Sequence, residues 1–289
     1  MLNKPYIPAK PEVPVRWIVT DLDGTLLNSR QQIDPDLVGH IRRFIGAGGR
    51  FTLATGRTLS SALPFIRLLQ MIEPVILCNG ACIYDPIEDR YVMEQHLPAG
   101  SVREVIRLYE EAGTAGELDL LLFQEEHIYS AVLSEQVNRQ MHKDGVEIEQ
   151  RPLEWMAAYG ADKVTKMMLI GPAPHLMEFQ KILAIASLNT VQSESQLLEV
   201  LPHGVNKSTG LSALIGLTGA PADGMAVVGD NLNDLEMIRT VPHGFAVANA
   251  NPEVKRAAAY VLARSNEENA LLDVIQFAVS TWPSGMAGA

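Results

Sequence analysis

The sequence predicts an α/β protein with a Rossmann-like parallel-sheet core and an α+β unit inserted into that core. Three observations support this fold class. Short apolar strands alternate with amphipathic helices over residues 15–82, hairpin-like strands mix with helices over residues 83–201, and the strand–helix alternation returns from residue 202. Strands and helices that alternate through short connections predict parallel pairing with right-handed crossovers.

The first segment contains three predicted strands and two predicted helices. It begins with the apolar strand "VRWIVT". The next helix has Asp34 as its N-cap and Pro35 at its first position, and Gly48 and Gly49 end it. The remaining predicted elements are a strand at 50–55, a helix at 58–70 and a strand at 74–79. These elements predict parallel strands of one sheet.

The inserted segment has the pattern of a separate α+β unit of ordinary domain size. Its first part, "IYDPIEDRYVMEQ", alternates around a turn and predicts a β-hairpin. The other predicted elements are helices at 100–112, 133–143 and 174–186, and strands within 118–132, 162–171 and 190–201. Paired strands among helices indicate a unit that folds around its own core.

The last segment returns to alternating helices and strands. The predicted elements are the helix "NKSTGLSALIGLTG", the strand "GMAVVGD", the helix "NLNDLEMIRTV", the strand "GFAVAN", the helix "NPEVKRAA", the strand "AYVLA" and the helix "NEENALLDVIQFAV". We therefore predict a core of residues 15–82 and 202–280, an inserted domain of residues 83–201, a flexible tail at 1–14 and a disordered tail at 281–289.

The composition excludes several classes of partner. The 289-residue chain is 47% hydrophobic and has a net charge of −11, and it contains no block of basic residues. This argues against nucleic acid or an anionic membrane as a partner. Cys78 and Cys82 are too few for a disulfide framework, so we expect two reduced, packed thiols. The sequence shows no signal-like or membrane-spanning run, which predicts a soluble, cytoplasmic protein.

Polar residues follow each core strand at the point where it ends. Ligands bind beyond the carboxyl ends of the strands in open parallel sheets, so we expect these residues to meet in one cleft. Lys207, near the start of the helix that follows the insertion, adds a positive charge. The residues at the strand ends are Asp21, Asp23, Thr55, Arg57, Asn79, Asp230, Asn233 and Asp234.

Several carboxylates around one point repel one another unless a cation lies among them. Asp21, Asp23, Asp230 and Asp234 offer oxygen ligands, and no histidine accompanies them. Hard oxygen ligands favour Mg²⁺ over zinc. The sequence therefore predicts a magnesium site in the cleft, with at least one carboxylate free to react.

The ordered motifs "DLDGTLL", "ATGR", "NGA", "GVNKSTGL" and "GDNLNDLEM" resemble those of the haloacid dehalogenase (HAD) superfamily. More narrowly, they resemble its Cof-type phosphatases, in which a large cap domain follows the third core strand. The resemblance spans residues 15–279. These ordered motifs in matching structural contexts form a far more specific signal than "DLDGT" alone. The resemblance implies an HAD-like core with an inserted cap, and a phosphoric monoester hydrolase that uses Mg²⁺.

The resemblance also implies a role for each matching residue. Asp21 would be the nucleophile and form an aspartyl-phosphate, and Asp23 would be the general acid and base. The implied metal ligands are Asp21, the backbone carbonyl of Asp23, Asp230 and Asp234, the last of these directly or through water. The implied phosphate-binding groups are the side chains of Thr55, Lys207 and Asn233 and the backbone amides near Leu22 and Gly56. The implied partner is a small phosphorylated metabolite, and the protein would be a monomer or a homodimer.

The resemblance leaves the substrate and part of the function open. A sugar phosphate, a nucleotide and a cofactor phosphate all fit as substrates. A phosphomutase that acts on a hexose phosphate would share the core motifs, and a catalytically silent phospho-ligand binding protein would share the site. A true dehalogenase needs neither Asp23 nor Asp230, and a phosphorylation switch of the receiver type is much shorter. One departure is that Ala248 replaces a usual glycine, while Asn249 keeps the polar position.

Overall fold

The first segment of the fold alternates strands with helices. A computed structural model of the chain describes residues 12–113 and 116–283. The first elements are β1 (Trp17–Thr20), α1 (Pro35–Gly46), β2 (Arg50–Leu53), α2 (Leu59–Leu69) and β3 (Val75–Leu77). Helix α1 begins as the sequence predicts, because the Asp34 side chain accepts a 2.8 Å hydrogen bond from the Asp36 amide and Pro35 follows it.

The middle segment forms a mixed set of strands and helices. Its elements are β4 (Cys82–Asp85), β5 (Arg90–Glu94), α3 (Ala99–Glu111), β6 (Asp119–Gln124), β7 (His127–Ser130), α4 (Glu135–Asp144), β8 (Glu149–Gln150), α5 (Leu153–Ala158), β9 (Val164–Ile170), α6 (Ala173–Ile185), β10 (Asn189–Glu194) and β11 (Leu197–Leu201). The short elements β8 and α5 have no counterpart in the sequence prediction. Strand β8 has two residues and helix α5 has six, and neither shows a clear apolar period in the sequence.

The last segment returns to the core. Its elements are α7 (Lys207–Thr218), β12 (Met225–Gly229), α8 (Leu235–Thr240), β13 (His243–Ala246), α9 (Pro252–Ala257), β14 (Tyr260–Val261) and α10 (Leu271–Ser280). Short 3₁₀ turns lie at 222–224, 232–234 and 266–268. The order of strands and helices follows the sequence prediction throughout this segment.

The core sheet is parallel, with strand order β14–β13–β12–β1–β2. Strand β1 pairs with β12 and β2, and the next strand, β3, joins β2 through one parallel bridge between Ala54 and Ile76. Strands β3, β4 and β5 form an antiparallel sheet of their own. The predicted α/β fold class is therefore confirmed, and the three-stranded sheet leads from the core into the inserted cap. The domain boundaries at residues 83 and 202 stay a prediction.

The cap is built on a six-stranded sheet with order β10–β11–β9–β6–β7–β8. Its strands pair antiparallel except for β7 and β8, which are parallel. Successive residues of a strand point to opposite faces, so each face has its own apolar cluster. One cluster contains residues of α3 and α6, and the other contains residues of α4. The face that carries α4 is the one that includes Phe123 and Met168.

The end of the fold differs from the sequence prediction. The predicted disordered tail at 281–289 is wrong for its first two residues, because Thr281 and Trp282 are each 3% exposed. Thr281 Oγ1 accepts a 2.8 Å hydrogen bond from the Val15 amide, and Trp282 Nε1 donates to the Val15 carbonyl at 2.8 Å. The tail predicted at 1–14 lies outside the described residues except for 12–14, and the remainder of 281–289 lies outside them from residue 284.

Among residues 12–113 and 116–283, the helices are too short or too polar to cross a membrane.

Gly80 lies where the loop after β3 touches the start of α7. Its φ is +98°, and a Cβ atom there would lie 2.2 Å from the Asn206 carbonyl oxygen. Because both the backbone angle and the contact exclude a side chain, we expect Gly80→Ala to lower the free energy of unfolding by about 3 kcal/mol or more. Denaturant unfolding measures this. Gly216→Ala is the control, because it lies in α7 with nothing near its added methyl group, and it should stabilise the protein by about 0.5–1 kcal/mol.

Candidate active site

The ends of four neighbouring strands place polar side chains along one edge of the core sheet. Asp21 follows β1, Thr55 follows β2, Asn79 follows β3 and Asp230 follows β12. The structure ties these loops together by hydrogen bonds. The Asp21 amide donates to Val228 on β12 at 2.9 Å, and the Asn79 amide donates to the Thr55 carbonyl at 3.0 Å. The strand ends therefore meet as the sequence predicts for a cleft of a parallel sheet.

Lys207 joins this cluster as the first residue of α7. Its side chain is fully buried, and its Nζ lies 2.5 Å from Asp21 Oδ1 and 2.7 Å from Asp234 Oδ1. Burial lowers the pKa of Lys207, but the two carboxylates outweigh burial and raise it above its usual value. The ammonium group has three protons, and these contacts use two. The third can therefore donate to an anionic ligand beside Asp21.

Three carboxyl groups crowd the point where β1 and β12 end. One ligand oxygen from each of Asp21, Asp230 and Asp234 lies within 4.8 Å of the others. Burial raises the pKa of Asp21 well above its usual range, and Asp234 and Asp230 add to this while Lys207 opposes it. Burial, with the charge of Asp234, raises the pKa of Asp230 to about 7. Such a set of hard oxygen donors fits a divalent cation, whose charge would let the carboxyl groups ionise.

Asp234 differs from the other two carboxylates because protein donors already occupy both of its oxygens. Oδ1 accepts from Lys207, and Oδ2 accepts from the amides of Asp230 and Asn231 at 2.9 and 3.0 Å. The side chain is completely buried. Asp234 therefore holds Lys207 and the Asp230 loop in place.

Asp23 forms a bidentate ion pair with Arg57. Nε and Nη2 of Arg57 donate to the two carboxylate oxygens at 2.8 Å each. Burial raises the pKa of Asp23, but the hydrogen bonds and charge of Arg57 outweigh burial and lower it below its usual value. Arg57 also donates to Gln31 and to Ser61 Oγ. In this arrangement Asp23 is a carboxylate, and Arg57 fixes its direction.

Gly24 makes the close packing of the "DLDGT" loop against Asp230 possible. Its φ is +76°, and a Cβ atom there would lie 2.6 Å from Asp230 Oδ2. Thr25 Oγ1 donates to Asp230 Oδ1 at 2.9 Å, and Asn249 Nδ2 donates to the Gly24 carbonyl at 2.7 Å. The loop that contains Ala248 in place of the family's usual glycine thus still contacts the "DLDGT" loop through Asn249.

The remaining predicted phosphate-binding residues are buried or half-buried beside the strand ends. Thr55 is buried and its Oγ1 accepts from the Arg57 amide at 3.1 Å. Leu22 is fully buried, so only its backbone can serve a ligand. Asn233 Nδ2 donates to Asn79 Oδ1 at 3.1 Å, while Asn79 Nδ2 and Asn233 Oδ1 have no partner among the described residues. The two amides form a pair, which the motifs do not predict.

A cavity of about 280 Å³ lies over these residues, between the core and the cap. Its core side includes Asp21, Asp23 and Thr55. Its cap side has an apolar part and a charged part. The apolar residues are Phe123, Ile128, Val146, Met168 and Leu197, and the charged residues are Lys143, Asp144, Lys166, Glu194 and Glu199.

None of these cap residues is among the site residues that the motifs predict, although two of them carry a detectable signal. Lys166 lies inside the apolar strand "VTKMMLI", and Glu199 lies inside "LLEVL". A charged residue that interrupts an otherwise buried strand needs a partner, because an isolated buried charge is costly. That pattern distinguishes both positions within the amino-acid sequence itself.

The fold and the site define a class of capped α/β enzymes, with acidic residues at the carboxyl ends of parallel strands beneath an inserted domain. A family model described as haloacid dehalogenase-like hydrolase matches residues 18–275. The chain therefore belongs to the haloacid dehalogenase-like hydrolases, and the resemblance that its motifs suggest is confirmed.

The curated relatives include two phosphatases that are named for their substrates. The chain is 28% identical to the HMP-PP phosphatase of Serratia proteamaculans over 244 residues, which cover 83% of this chain and 86% of that protein. It is 24% identical to a pyridoxal phosphate phosphatase of Escherichia coli over 255 residues, which cover 86% of this chain and 93% of that protein.

Solved structures share the fold over nearly the whole chain. A haloacid dehalogenase-like hydrolase from Bacteroides thetaiotaomicron has a TM-score of 0.79 and 27% identity, and the match covers 90% of this chain and 98% of that one. An HAD/Cof-like hydrolase from Plasmodium vivax has a TM-score of 0.83 at 20% identity, with 94% and 98% of the two chains covered. The predicted core with its inserted cap is thus a fold that these proteins share.

Proposed function

We propose that the protein is a Mg²⁺-dependent phosphatase that hydrolyses a small phosphate monoester through an aspartyl-phosphate on Asp21. Its family makes it a hydrolase, and the two curated relatives described above are named phosphatases of small phosphorylated metabolites. The observation that carries the proposal is the contact set of Asp21. A fully buried lysine and two further carboxylates surround this side chain, which lines a cavity between the core and the cap.

The donor set supports an assignment of the metal ligands. Asp21 and Asp230 offer carboxylate oxygens at the point of crowding, and Asp23 would add its backbone carbonyl. Because its oxygens already accept from Lys207 and two amides, we assign Asp234 to the second layer, where it orients Lys207 and the Asp230 loop. A bound Mg²⁺ would offset the charge of the phosphoryl group and keep Asp21 ionised.

In the first half of the reaction, Asp21 attacks phosphorus and the bond to the leaving alcohol breaks. Lys207 and the hydroxyl of Thr55 donate to the phosphoryl oxygens, over which the transition state spreads its charge. The backbone amides near Leu22 and Gly56 and one amide of the Asn79–Asn233 pair add further donors. Asp23 gives a proton to the leaving oxygen, for which it must first take up a proton and loosen its pair with Arg57.

In the second half, water attacks the aspartyl-phosphate and Asp23 accepts a proton from that water. The ion pair with Arg57 suits this half, because it stabilises Asp23 as a carboxylate at the start of the step. Asp21 leaves as a carboxylate and inorganic phosphate is released. The cap limits access of bulk water during the first half, when the alcohol occupies the cavity.

The substrate class stays broad. The cavity volume of about 280 Å³ is in the range of a small metabolite. Sugar phosphates, nucleotides and cofactor phosphates such as pyridoxal phosphate are the classes to screen with Mg²⁺ present. The partner would be a small molecule and not nucleic acid or a membrane. The cytoplasmic location and the monomeric or homodimeric state stay predictions.

Removal of the metal is the first test. We expect phosphate release to fall to background in excess chelator and to return when Mg²⁺ is added back, because Asp21 and Asp230 resist ionisation without a cation. Colorimetric phosphate detection on the best substrate of the screen measures both steps. Activity that persists after complete chelation would contradict the metal assignment. A substrate that is consumed and isomerised without phosphate release would instead favour a phosphomutase.

A further inference from the structure

Lys166 is a cap residue that reaches into the phosphate-binding loop of the core. It lies in the middle of β9 and its side chain is 3% exposed. Its Nζ donates to the Gly56 carbonyl at 2.7 Å and to Glu199 Oε2 at 2.8 Å, and it lies 4.6 Å from the centre of the Phe123 ring. Gly56 is one of the residues whose backbone the proposed mechanism uses.

The ion pair between Lys166 and Glu199 is almost completely enclosed. Burial lowers the pKa of Lys166, but the Glu199 carboxylate outweighs burial and raises it above its usual value, so the amine stays charged. Buried ion pairs are often no more stabilising than apolar residues of similar volume. The need for a stable cap sheet alone therefore does not explain a lysine at this position.

The Gly56 carbonyl belongs to the peptide unit that links Gly56 to Arg57. The amide of the same unit donates to Thr55 Oγ1 at 3.1 Å. A charged donor on the carbonyl polarises the peptide unit and strengthens the hydrogen bond that its N–H group makes. With its oxygen engaged by this amide, the Thr55 hydroxyl is directed to donate its own proton, as a phosphoryl oxygen requires.

The N–H group of this peptide unit belongs to Arg57, the residue that binds Asp23. Arg57 binds both carboxylate oxygens of Asp23, and the space around Gly56 is tight. A Cβ atom on Gly56 would lie 2.9 Å from Asn79 Nδ2 and 3.3 Å from Glu199 Oε1. A rotation of the peptide unit would therefore disturb Thr55, Arg57 and Asn79 together.

We infer that Lys166 is a positioning residue of the phosphate site, which acts across the boundary between cap and core by fixing the Gly56–Arg57 peptide unit. The inference rests on the proposed phosphatase function. It gives a cap lysine a part in phosphate binding, in addition to any contact that the cap makes with the leaving group. Glu199 keeps the lysine charged and aimed at the Gly56 carbonyl.

The decisive variant removes both buried charges at once. Lys166→Met alone leaves Glu199 buried without its partner and can destabilise the cap. The double variant Lys166→Met/Glu199→Met leaves no buried charge without a partner, and we expect its Tm to lie close to that of the wild type. It still lacks the donor to the Gly56 carbonyl. Lys163→Met is the matched control, because Lys163 lies three residues earlier, is 67% exposed and pairs with Glu125 on the surface.

The measurements are the Ki of inorganic phosphate, kcat, KM and Tm for each protein. We expect the double variant to bind inorganic phosphate about 10- to 100-fold more weakly and to lose a similar factor in kcat/KM, since misplaced binding groups cost that much. Lys163→Met should match the wild type in all four quantities. A folded double variant with wild-type phosphate affinity and wild-type kcat/KM would overturn the inference. A wild-type enzyme that releases no phosphate from any substrate class would instead overturn the proposed function.

Discussion

Asp21→Asn should abolish turnover while the protein stays folded. The amide cannot serve as the nucleophile, so kcat should fall by at least about 10⁴-fold, the scale seen when a covalent nucleophile is removed. Stability should not suffer, because Asp21 is a buried carboxyl group crowded by Asp230 and Asp234. Lys207 would keep its 2.7 Å contact with Asp234. Steady-state phosphate release and thermal unfolding measure the two effects.

Asp36→Asn is the control for this substitution. Asp36 is exposed in the first turn of α1, outside the carboxylate cluster, and its change should leave kcat within about twofold of the wild type. If Asp21→Asn kept substantial activity, or lost it only together with the fold, Asp21 would not be the nucleophile.

Asp23→Asn should cause a loss that depends on the leaving group. Without a general acid, kcat/KM for a sugar phosphate should fall by about 10²–10⁴-fold, and an activated aryl phosphate should lose less in the first step. Breakdown of the aspartyl-phosphate also needs Asp23, so the intermediate should accumulate and give an early burst of released alcohol. Rapid-mixing kinetics across a series of leaving groups measures burst size and rate.

The kinetics of the two variants then distinguish the roles of the two aspartates. Asp21→Asn should show neither a burst nor a leaving-group dependence, because no intermediate forms. Asp23→Asn should leave metal binding unchanged, because Asp23 is expected to bind the metal through its backbone carbonyl. An equal loss for every leaving group, with no burst, would count against the acid–base role of Asp23.

The sequence predicts that the site residues lie close together, because the topology of the sheet requires it. In a parallel sheet each strand ends at the same edge, so motifs at the ends of β1, β2, β3 and β12 must meet there. Lys207 fits the same logic, because the start of α7 faces this edge. A lysine at a helix N-terminus opposes the helix dipole, and the carboxylates of Asp21 and Asp234 provide the compensating charge.

The different contacts of the carboxylates within the cluster could not be predicted from the sequence. Asp230 and Asp234 are four residues apart in one motif, yet Asp234 accepts from two amides and Lys207 while Asp230 accepts from Thr25. The sequence allows Arg57 to pair with a nearby carboxylate, and only the structure identifies that carboxylate as Asp23. Such partners depend on side-chain directions that motif spacing does not specify.

The contact between the cap and the phosphate-binding loop could not be predicted from the sequence, for a different reason. Lys166 and Gly56 are 110 positions apart, and their contact depends on how the cap lies over the core. Only the presence of a charge inside each apolar strand of the cap could have marked Lys166 and Glu199 as a buried pair. The apolar side of the cavity, with Phe123 and Met168, is similarly invisible in the sequence, where both residues have the pattern of ordinary core.

The most direct test of the proposed mechanism is to trap the covalent intermediate. Wild-type enzyme is mixed with a substrate labelled in its phosphoryl group and Mg²⁺, quenched in acid during turnover, digested and measured by mass spectrometry. We expect the label on Asp21, in a bond that hydroxylamine cleaves, and a larger labelled fraction in Asp23→Asn. Label on another side chain, or none in either protein under conditions sensitive enough to detect a small fraction of the enzyme, would contradict the mechanism.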